Sequence, residues 1–149
     1  YRVRGALAAT SQADRKVASA EERLMMNILW AGIGGALGSM ARYLVVMALG
    51  RSLSNPVFPF GTLAVNVVGC FVIAFIGGLA ADKINLTAEA RVFIFTGILG
   101  GFTTFSAFGY ETFYLWKTSH MALAFLNVLA NCILGFGAVW LGHAAAKGI

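Results

Sequence analysis

Residues 100–111, GGFTTFSAFGYE, place ion-binding residue types inside an otherwise apolar segment. Gly100 and Gly101 each disfavour a helix interior by about 1 kcal/mol relative to alanine, and with Thr103 and Thr104 they predict a break in a helix. A break in an apolar environment leaves backbone carbonyls without partners, and the half-helix that ends there carries a partial negative charge. Oxygen ligands of this kind suit a small cation such as Na⁺.

The same stretch carries Phe102, Phe105 and Phe108 at every third position, which forms one helical stripe. The edge of an aromatic ring is electropositive, so an edge-on phenylalanine beside a narrow path could favour a small anion. Serine, threonine and asparagine donors could replace the water of such an anion. The spacing of the stripe also fits an ordinary packing face, and this alternative stays open.

Other polar residues lie within apolar segments, where an unpartnered polar group is costly and a functional role is the first hypothesis. Asn66 lies in the second segment, and Asn127 and Asn131 lie one turn apart in the fourth. Arg42 and Glu111 lie in the first and third segments. The alternatives are interhelical hydrogen bonds for the asparagines and snorkelling toward the membrane surface for Arg42.

The histidines, cysteines and carboxylates do not form a catalytic pattern, so we predict that the protein is not an enzyme. His120 and His143 lie near segment ends, and Glu111 has no second carboxylate in the apolar segments for acid–base chemistry. Cys70 and Cys132 lack metal-ligand spacing and are predicted to be small buried hydrophobic residues.

The composition indicates a chain whose solvent is lipid. Of its 149 residues 59% are hydrophobic and 11% are charged, whereas soluble domains carry about 25% charged residues. Four long apolar segments occur at 26–50, 60–81, 91–116 and 121–146. Each meets the roughly 20 residues that a transmembrane helix needs, and none shows the alternation of a barrel strand. The sequence therefore predicts an all-α membrane protein with four transmembrane helices and a break at the centre of the third.

Small residues predict close helix packing in this bundle. Gly34 and Gly38 form a GxxxG pattern in the first segment, and further glycines follow in the second and fourth segments. Helices in lipid associate through close backbone approach, which small residues permit. We expect tight contacts within the subunit or against a second copy.

Residues 1–25 differ from the rest of the chain, because they are polar and hold five of the eleven lysines and arginines. They lack the apolar stretch of a signal peptide. We expect a tail outside the membrane domain, either added to the natural sequence or extending it upstream, that is disordered or forms a short surface helix. Residues 26–149 then form the domain, and Met25 or Met26 is its natural start. Since the basic excess lies in this tail and beside the segments, nucleic-acid binding is not predicted.

Basic residues outside the tail are nearly balanced between the two ends of the segments. Three lie at one end and two or three at the other: Lys83, Arg91 and Lys147 against Arg51, Lys117 and, if it snorkels outward, Arg42. The positive-inside rule needs an imbalance to fix one orientation. Near balance predicts a chain that inserts in both orientations.

Three motifs in the sequence closely resemble those of one family. GGFTTFSAF in segment three, GIGGALGSMARY in segment one and GTLAVNVVGC in segment two are similar to signatures of the Fluc (CrcB) fluoride channels, the small bacterial fluoride exporters. The resemblance covers residues 26–149 with all four segments in order. It implies an antiparallel, dual-topology homodimer in the bacterial inner membrane. Two antiparallel pores would export toxic cytoplasmic fluoride by passive electrodiffusion.

The resemblance also implies roles for individual residues. A central structural Na⁺ would be bound by the backbone carbonyls of Gly100 and Thr103 from both subunits. The fluoride pore would be lined by two phenylalanines and four polar residues: Phe105, Phe108, Asn66, Ser106, Asn127 and Asn131. Glu111 and Arg42 would lie in the vestibule.

This chain departs from the family pattern at positions in segments three and four. Phe102 replaces a more usual aliphatic residue, and Ala107 stands where threonine is common. In segment four, the family often has tyrosine, serine or threonine at positions where this chain has Asn127, Asn131, Gly135 and Val139. The two asparagines could supply equivalent donors. Val139 therefore cannot supply a hydrogen-bond donor at the far end of the predicted pore.

Two other function classes remain open. A small multidrug exporter is also a four-span, dual-topology dimer, but proton exchange for organic cations needs an acidic residue deep in the first span, and 26–50 has none. A membrane subunit that only packs against partners would not need the cluster of hydroxyls and amides in segments two to four.

Overall fold

The computed structural model describes residues 2–54 and 57–149, with side chains described from residue 18 onward. Every regular element within these residues is a helix, which agrees with the all-α prediction. In chain order they are α1 (Arg2–Ser52), α2 (Phe60–Asp82), α3 (Ala88–Arg91), a π-helix (Val92–Leu99), α4 (Gly100–Phe102), α5 (Phe105–Lys117) and α6 (Met121–Gly148).

Four stretches of the described chain are long and apolar enough to cross a membrane: Ala18–Ser52, Phe60–Asp82, Ala88–Lys117 and Met121–Gly148. They contain the four predicted segments, so the four-span prediction is confirmed. The third stretch, called the third span below, combines α3, the π-helix, α4 and α5.

The first span and the residues before it form one element. Helix α1 runs without a break from Arg2 to Ser52, and residues 18–26 are exposed. Residue 1 lies outside the described residues. The assignment of 1–25 to a separate tail stays a prediction, since the helix itself shows no boundary at residue 25.

Glycines allow α1 to approach the third span closely. A Cβ atom built on Gly34 would lie 2.6 Å from the carbonyl oxygen of Phe93, and one built on Gly38 would overlap the carbonyl oxygen of Ile98. A side chain at either position would separate the two helices. The GxxxG pattern therefore serves packing within the subunit.

Glycines also allow α2 and α6 to pack closely. A Cβ atom on Gly142 would overlap the carbonyl oxygen of Phe71, and one on Gly78 would lie 2.7 Å from the Cβ of Ala146. Helix α6 thus lies against α2 along most of its length, and this contact places the asparagines of α6 beside Asn66.

Two cations near the start of the third span, Lys83 just after α2 and Arg91 in α3, cap helix ends. The Nζ atom of Lys83 donates to the carbonyl of Ala146 at 3.0 Å, near the C-terminus of α6, and a guanidinium nitrogen of Arg91 donates to the carbonyl of Ala80 at 3.4 Å. Cations at these ends offset the negative helix dipole. These contacts place Lys83 and Arg91 at one end of the bundle, as the charge count assumed.

The third span is interrupted, but at the threonines rather than at the glycines. Gly100 keeps helical angles (φ −64°, ψ −36°), whereas Thr103 (φ −82°, ψ 161°) and Thr104 (φ −154°, ψ 114°) are extended. Gly101 also lies within a helix, and its small size serves packing: a Cβ built there would lie 2.6 Å from the carbonyl oxygen of Gly35 on α1. Gly101 therefore permits helix contact, and the break depends on the hydrogen bonds described below.

We expect Gly34→Val to destabilise the fold, because the added side chain meets the backbone of the third span. Overpacking of this kind costs about 1–3 kcal/mol. The matched control is Gly32→Val on the same helix, where a built Cβ meets nothing within 4 Å. Thermal unfolding in detergent should show a lower midpoint for Gly34→Val alone. Equal midpoints for the two variants would contradict the packing account.

Candidate functional site

The interruption opens onto a cavity of about 420 Å³ between α2, the third span and α6. Six of the residues predicted to form the ion site line it: Asn66, Gly100, Thr103, Phe105, Phe108 and Asn131. The structure therefore brings together side chains that are far apart in the sequence. The other four predicted residues lie outside this cavity and are described below.

Asn66 holds the backbone of Thr104 in its extended form. The N–H of Thr104 donates to Oδ1 of Asn66 at 2.9 Å, and Nδ2 of Asn66 donates to the carbonyl of Thr104 at 3.2 Å. One side-chain amide thus supplies both partners that a helix would give this residue. Because these partners come from α2, the interruption is stabilised by tertiary contact.

The same bonds release two carbonyls of the third span. In a continuous helix the carbonyls of Gly100 and Thr103 would accept from the N–H groups of Thr104 and Ala107. Here the Thr104 N–H donates to Asn66, and the Ala107 N–H donates to the hydroxyl of Thr104 at 3.2 Å. The two carbonyls that were predicted to bind a cation have therefore lost their helical donors. Neutral oxygen donors at the C-terminal end of a half-helix fit a small hard cation.

A chain of hydrogen bonds leads from Asn66 into α6 and back to α5. Nδ2 of Asn66 donates to Oδ1 of Asn131 at 3.0 Å, and Nδ2 of Asn131 donates to both the carbonyl and Oδ1 of Asn127, each at 3.0 Å. Nδ2 of Asn127 donates to the hydroxyl of Thr112 at 2.8 Å, which donates to the carbonyl of Phe108 at 2.7 Å. We call Thr112, Asn127, Asn131 and Asn66 the amide chain.

The N–H groups that were predicted to bind an anion already donate hydrogen bonds within the amide chain. Both N–H bonds of Asn66 and both of Asn131 already have acceptors in the subunit. An anion in the cavity has to replace one of these acceptors before either residue can donate to it. Asn127 has no exposed surface and does not line the cavity.

Thr112 was missed by the sequence reasoning. A threonine in a membrane helix commonly donates to the carbonyl four residues earlier, and this one does. Its spacing could have indicated a role at the site, because Thr104, Phe108 and Thr112 are four residues apart and share one helical face. Only the fold shows that Asn127 lies against that face.

The phenylalanine stripe divides at the interruption. Phe105 is 84% exposed and Phe108 is half-buried, and their ring centroids are 5.5 Å apart at an interplanar angle of 53°. Phe102 precedes the break and lies near Gly69 of α2, outside the cavity lining. Phe105 and Phe108 line the cavity together with Phe95 and Phe136, and we call the pair Phe105 and Phe108 the aromatic wall. Phe102 packs against α2.

Ser106 lies just beyond the aromatic wall. Its side chain is exposed, and its hydroxyl is 3.4 Å from that of Thr104. This long contact leaves the Ser106 hydroxyl available to a ligand on the exposed face.

The two predicted vestibule residues lie apart from the main cavity. Glu111 lines a second cavity of about 190 Å³ at the end of the bundle near the α1–α2 connection. Its Oε1 accepts from the hydroxyl of Thr62 at 2.7 Å, while its Oε2 is buried with no hydrogen-bond partner in the described part of the chain. Arg42 is half-buried on α1, outside the linings of both cavities.

Among the side chains that the structure describes, those of residues 18–54 and 57–149, no cluster of three or more histidine, cysteine, aspartate or glutamate residues could hold a metal. Cys70 and Cys132 both line the main cavity as free thiols. A cation at the interruption would depend on backbone oxygens.

Comparison with known proteins supports the family assignment made from the motifs. Residues 29–143 match the family described as CrcB-like protein, Camphor Resistance (CrcB). A relative from Agrobacterium fabrum is 42% identical over 125 residues, which cover 84% of this chain and 99% of the relative. One from Parabacteroides distasonis is 45% identical over 125 residues (84% and 96%), and one from Helicobacter pylori is 46% identical over 120 residues (80% and 92%).

All three relatives carry the name fluoride-specific ion channel FluC. The matched range 29–143 reaches all four membrane spans and contains the whole of the third. The chain therefore belongs to the CrcB-like protein family.

Proposed function

We propose that the protein is a fluoride-selective membrane channel through which fluoride leaves the cytoplasm down its electrochemical gradient. The observation that carries the proposal is the interruption at Thr103 and Thr104, which Asn66 holds open beside a cavity lined by Phe105 and Phe108. The names of the relatives support the same activity.

Fluoride would pass along the aromatic wall. The ring edges of Phe105 and Phe108 offer weak electropositive contacts, and the Ser106 hydroxyl offers a donor on the exposed side. Asn66 and Asn131 would each break one of their existing hydrogen bonds and donate that N–H to the ion. Fluoride is the halide that accepts the strongest hydrogen bonds, so this exchange favours it over chloride.

A second, inverted copy would complete the site. Gly100, Phe105 and Ser106 are exposed on one subunit, and hydrocarbon is a poor environment for freed carbonyls and hydroxyls. An antiparallel partner would cover them and create two pores of opposite direction. The near balance of basic residues at the two ends of the bundle supports insertion of each copy in either orientation.

A structural Na⁺ would lie at the centre of this dimer. The residues that would hold it are Gly100 and Thr103 of each subunit, through the carbonyls that lost their helical donors. Bound there, it would offset the partial negative charge of these carbonyl oxygens. The chain's own contribution is to keep these oxygens free, which Asn66 and Thr104 do.

Glu111 and Arg42 would act at the pore entrance. Glu111 lies beside the cavity near the α1–α2 connection, with one oxygen bound to Thr62 and the other free to accept. A carboxylate with one free oxygen can accept from the water that accompanies an ion. We place both residues in the vestibule of a pore in the bacterial inner membrane.

The proton-coupled multidrug exporter is less well supported. That chemistry needs a carboxylate deep in the first span, and residues 26–50 contain none. Glu111 lies on the third span, where it binds Thr62.

Purified protein in liposomes loaded with fluoride should release the ion rapidly, whereas chloride-loaded liposomes should release very little. The reason is that strong donors and a narrow path favour the smaller ion. A fluoride electrode and a chloride electrode measure the two rates. Equal release of the two halides would reject the proposal.

Phe108→Ile should reduce fluoride release about tenfold, because it removes the ring-edge contact while keeping an apolar side chain of similar burial. Phe113→Ile is the matched control, since Phe113 lies on the same helix outside the cavity. Size-exclusion chromatography should show an unchanged dimer for both variants. If Phe108→Ile loses the dimer instead, the phenylalanine stripe is a packing surface.

A further inference from the structure

We infer that Thr112 and Asn127 are positioning residues for the ion pathway: they set the direction of the amide chain and thereby keep Asn66 on the backbone of Thr104. This inference rests on the proposed function in one respect, namely that the pathway conducts fluoride. The hydrogen-bond geometry itself is independent of which ion passes.

The direction of the chain is fixed at the α5 end by a carbonyl. The carbonyl of Phe108 can only accept, so the single hydroxyl hydrogen of Thr112 is committed to it at 2.7 Å. Thr112 can then only accept from Asn127, which must turn its Nδ2 toward Thr112. This leaves Oδ1 of Asn127 facing Asn131.

The direction is fixed at the other end by a backbone N–H. The N–H of Thr104 can only donate, so Asn66 must turn its Oδ1 toward it and its Nδ2 toward Asn131. Asn131 then has to present Oδ1 to Asn66 and Nδ2 to Asn127, as it does. The two ends therefore demand the same orientation of every amide between them.

Thr112 and Asn127 act through this orientation and not by contact with the ion. Asn127 has no exposed surface, and neither residue lines the cavity of the site. This places Asn127 in a different role from the pore-lining one that the family resemblance implied. Its polar groups serve the neighbouring amides.

Loss of the Thr112 hydroxyl would remove the constraint at one end. The amide of Asn127 could then rotate and point its Nδ2 at Asn131, where two donors would face each other. Relief of that clash requires Asn131 to turn its Nδ2 away, which also gives up its bond to the backbone carbonyl of Asn127. Nδ2 of Asn131 would then face Nδ2 of Asn66, and rotation of Asn66 to relieve this second clash breaks its paired contact with Thr104. The effect of a substitution at Thr112 should therefore be measurable at Thr104.

The experiment compares Thr112→Val with the wild-type dimer in lipid nanodiscs, by hydrogen exchange of the ¹⁵N-labelled Thr104 amide and by fluoride release from liposomes. We expect exchange at Thr104 to be about tenfold faster in Thr112→Val, which corresponds to the loss of one hydrogen bond. Fluoride release should fall by a similar factor. Thr112→Ser, which keeps the hydroxyl, should restore both values.

The matched control is Thr118→Val. The Thr118 hydroxyl also donates to the carbonyl four residues earlier, at 2.9 Å, but it lies at the exposed end of α5 and contacts no asparagine. This variant should leave exchange at Thr104 and fluoride release unchanged. Asn127→Leu, alone and combined with Thr112→Val, should give the same loss as Thr112→Val, because both substitutions interrupt one chain.

Unchanged exchange at Thr104 in both Thr112→Val and Asn127→Leu would overturn the inference, whatever happens to fluoride release. Additive losses in the double variant would also overturn it. If the wild-type protein releases no fluoride but Thr104 responds as described, the proposed function fails while the positioning of Thr104 by the amide chain is supported.

Discussion

The paired contact between the Asn66 amide and the backbone of Thr104 is the interaction on which the rest of the site depends. It replaces two helical partners in the middle of a membrane span, where an unpartnered peptide group costs several kcal/mol. By taking the Thr104 N–H, it also deprives the Gly100 carbonyl of its helical donor. One side chain thus stabilises the break and frees one of the two carbonyls that we propose to hold a cation.

Packing supplies the framework for this contact. Glycines at the α1 and α2 interfaces allow the third span and α6 to approach until their backbones touch. At that separation the asparagines of α6 reach Asn66, and Thr112 reaches Asn127. A larger side chain at Gly142 would separate α6 from α2 and hold Asn131 and Asn66 too far apart to bond.

Much of the fold could be predicted from the sequence, because long apolar segments in lipid have few alternatives to a helix. The position of the break was predicted less well. Gly100 and Gly101 suggested it by propensity, but Gly101 is needed for contact with Gly35, and the extended residues are Thr103 and Thr104. The role of Thr112 could not be predicted, since its partner lies fifteen residues away on another helix.

The most direct measurement of the central claim is an experimental map of the protein in lipid with sodium fluoride present. The account predicts a dimer in which each third span is extended at Thr103 and Thr104, with Asn66 bonded to Thr104 and cation density between the carbonyls of Gly100 and Thr103 at the subunit crossing. A continuous helix through the two threonines, or a single subunit with nothing bound there, would contradict it.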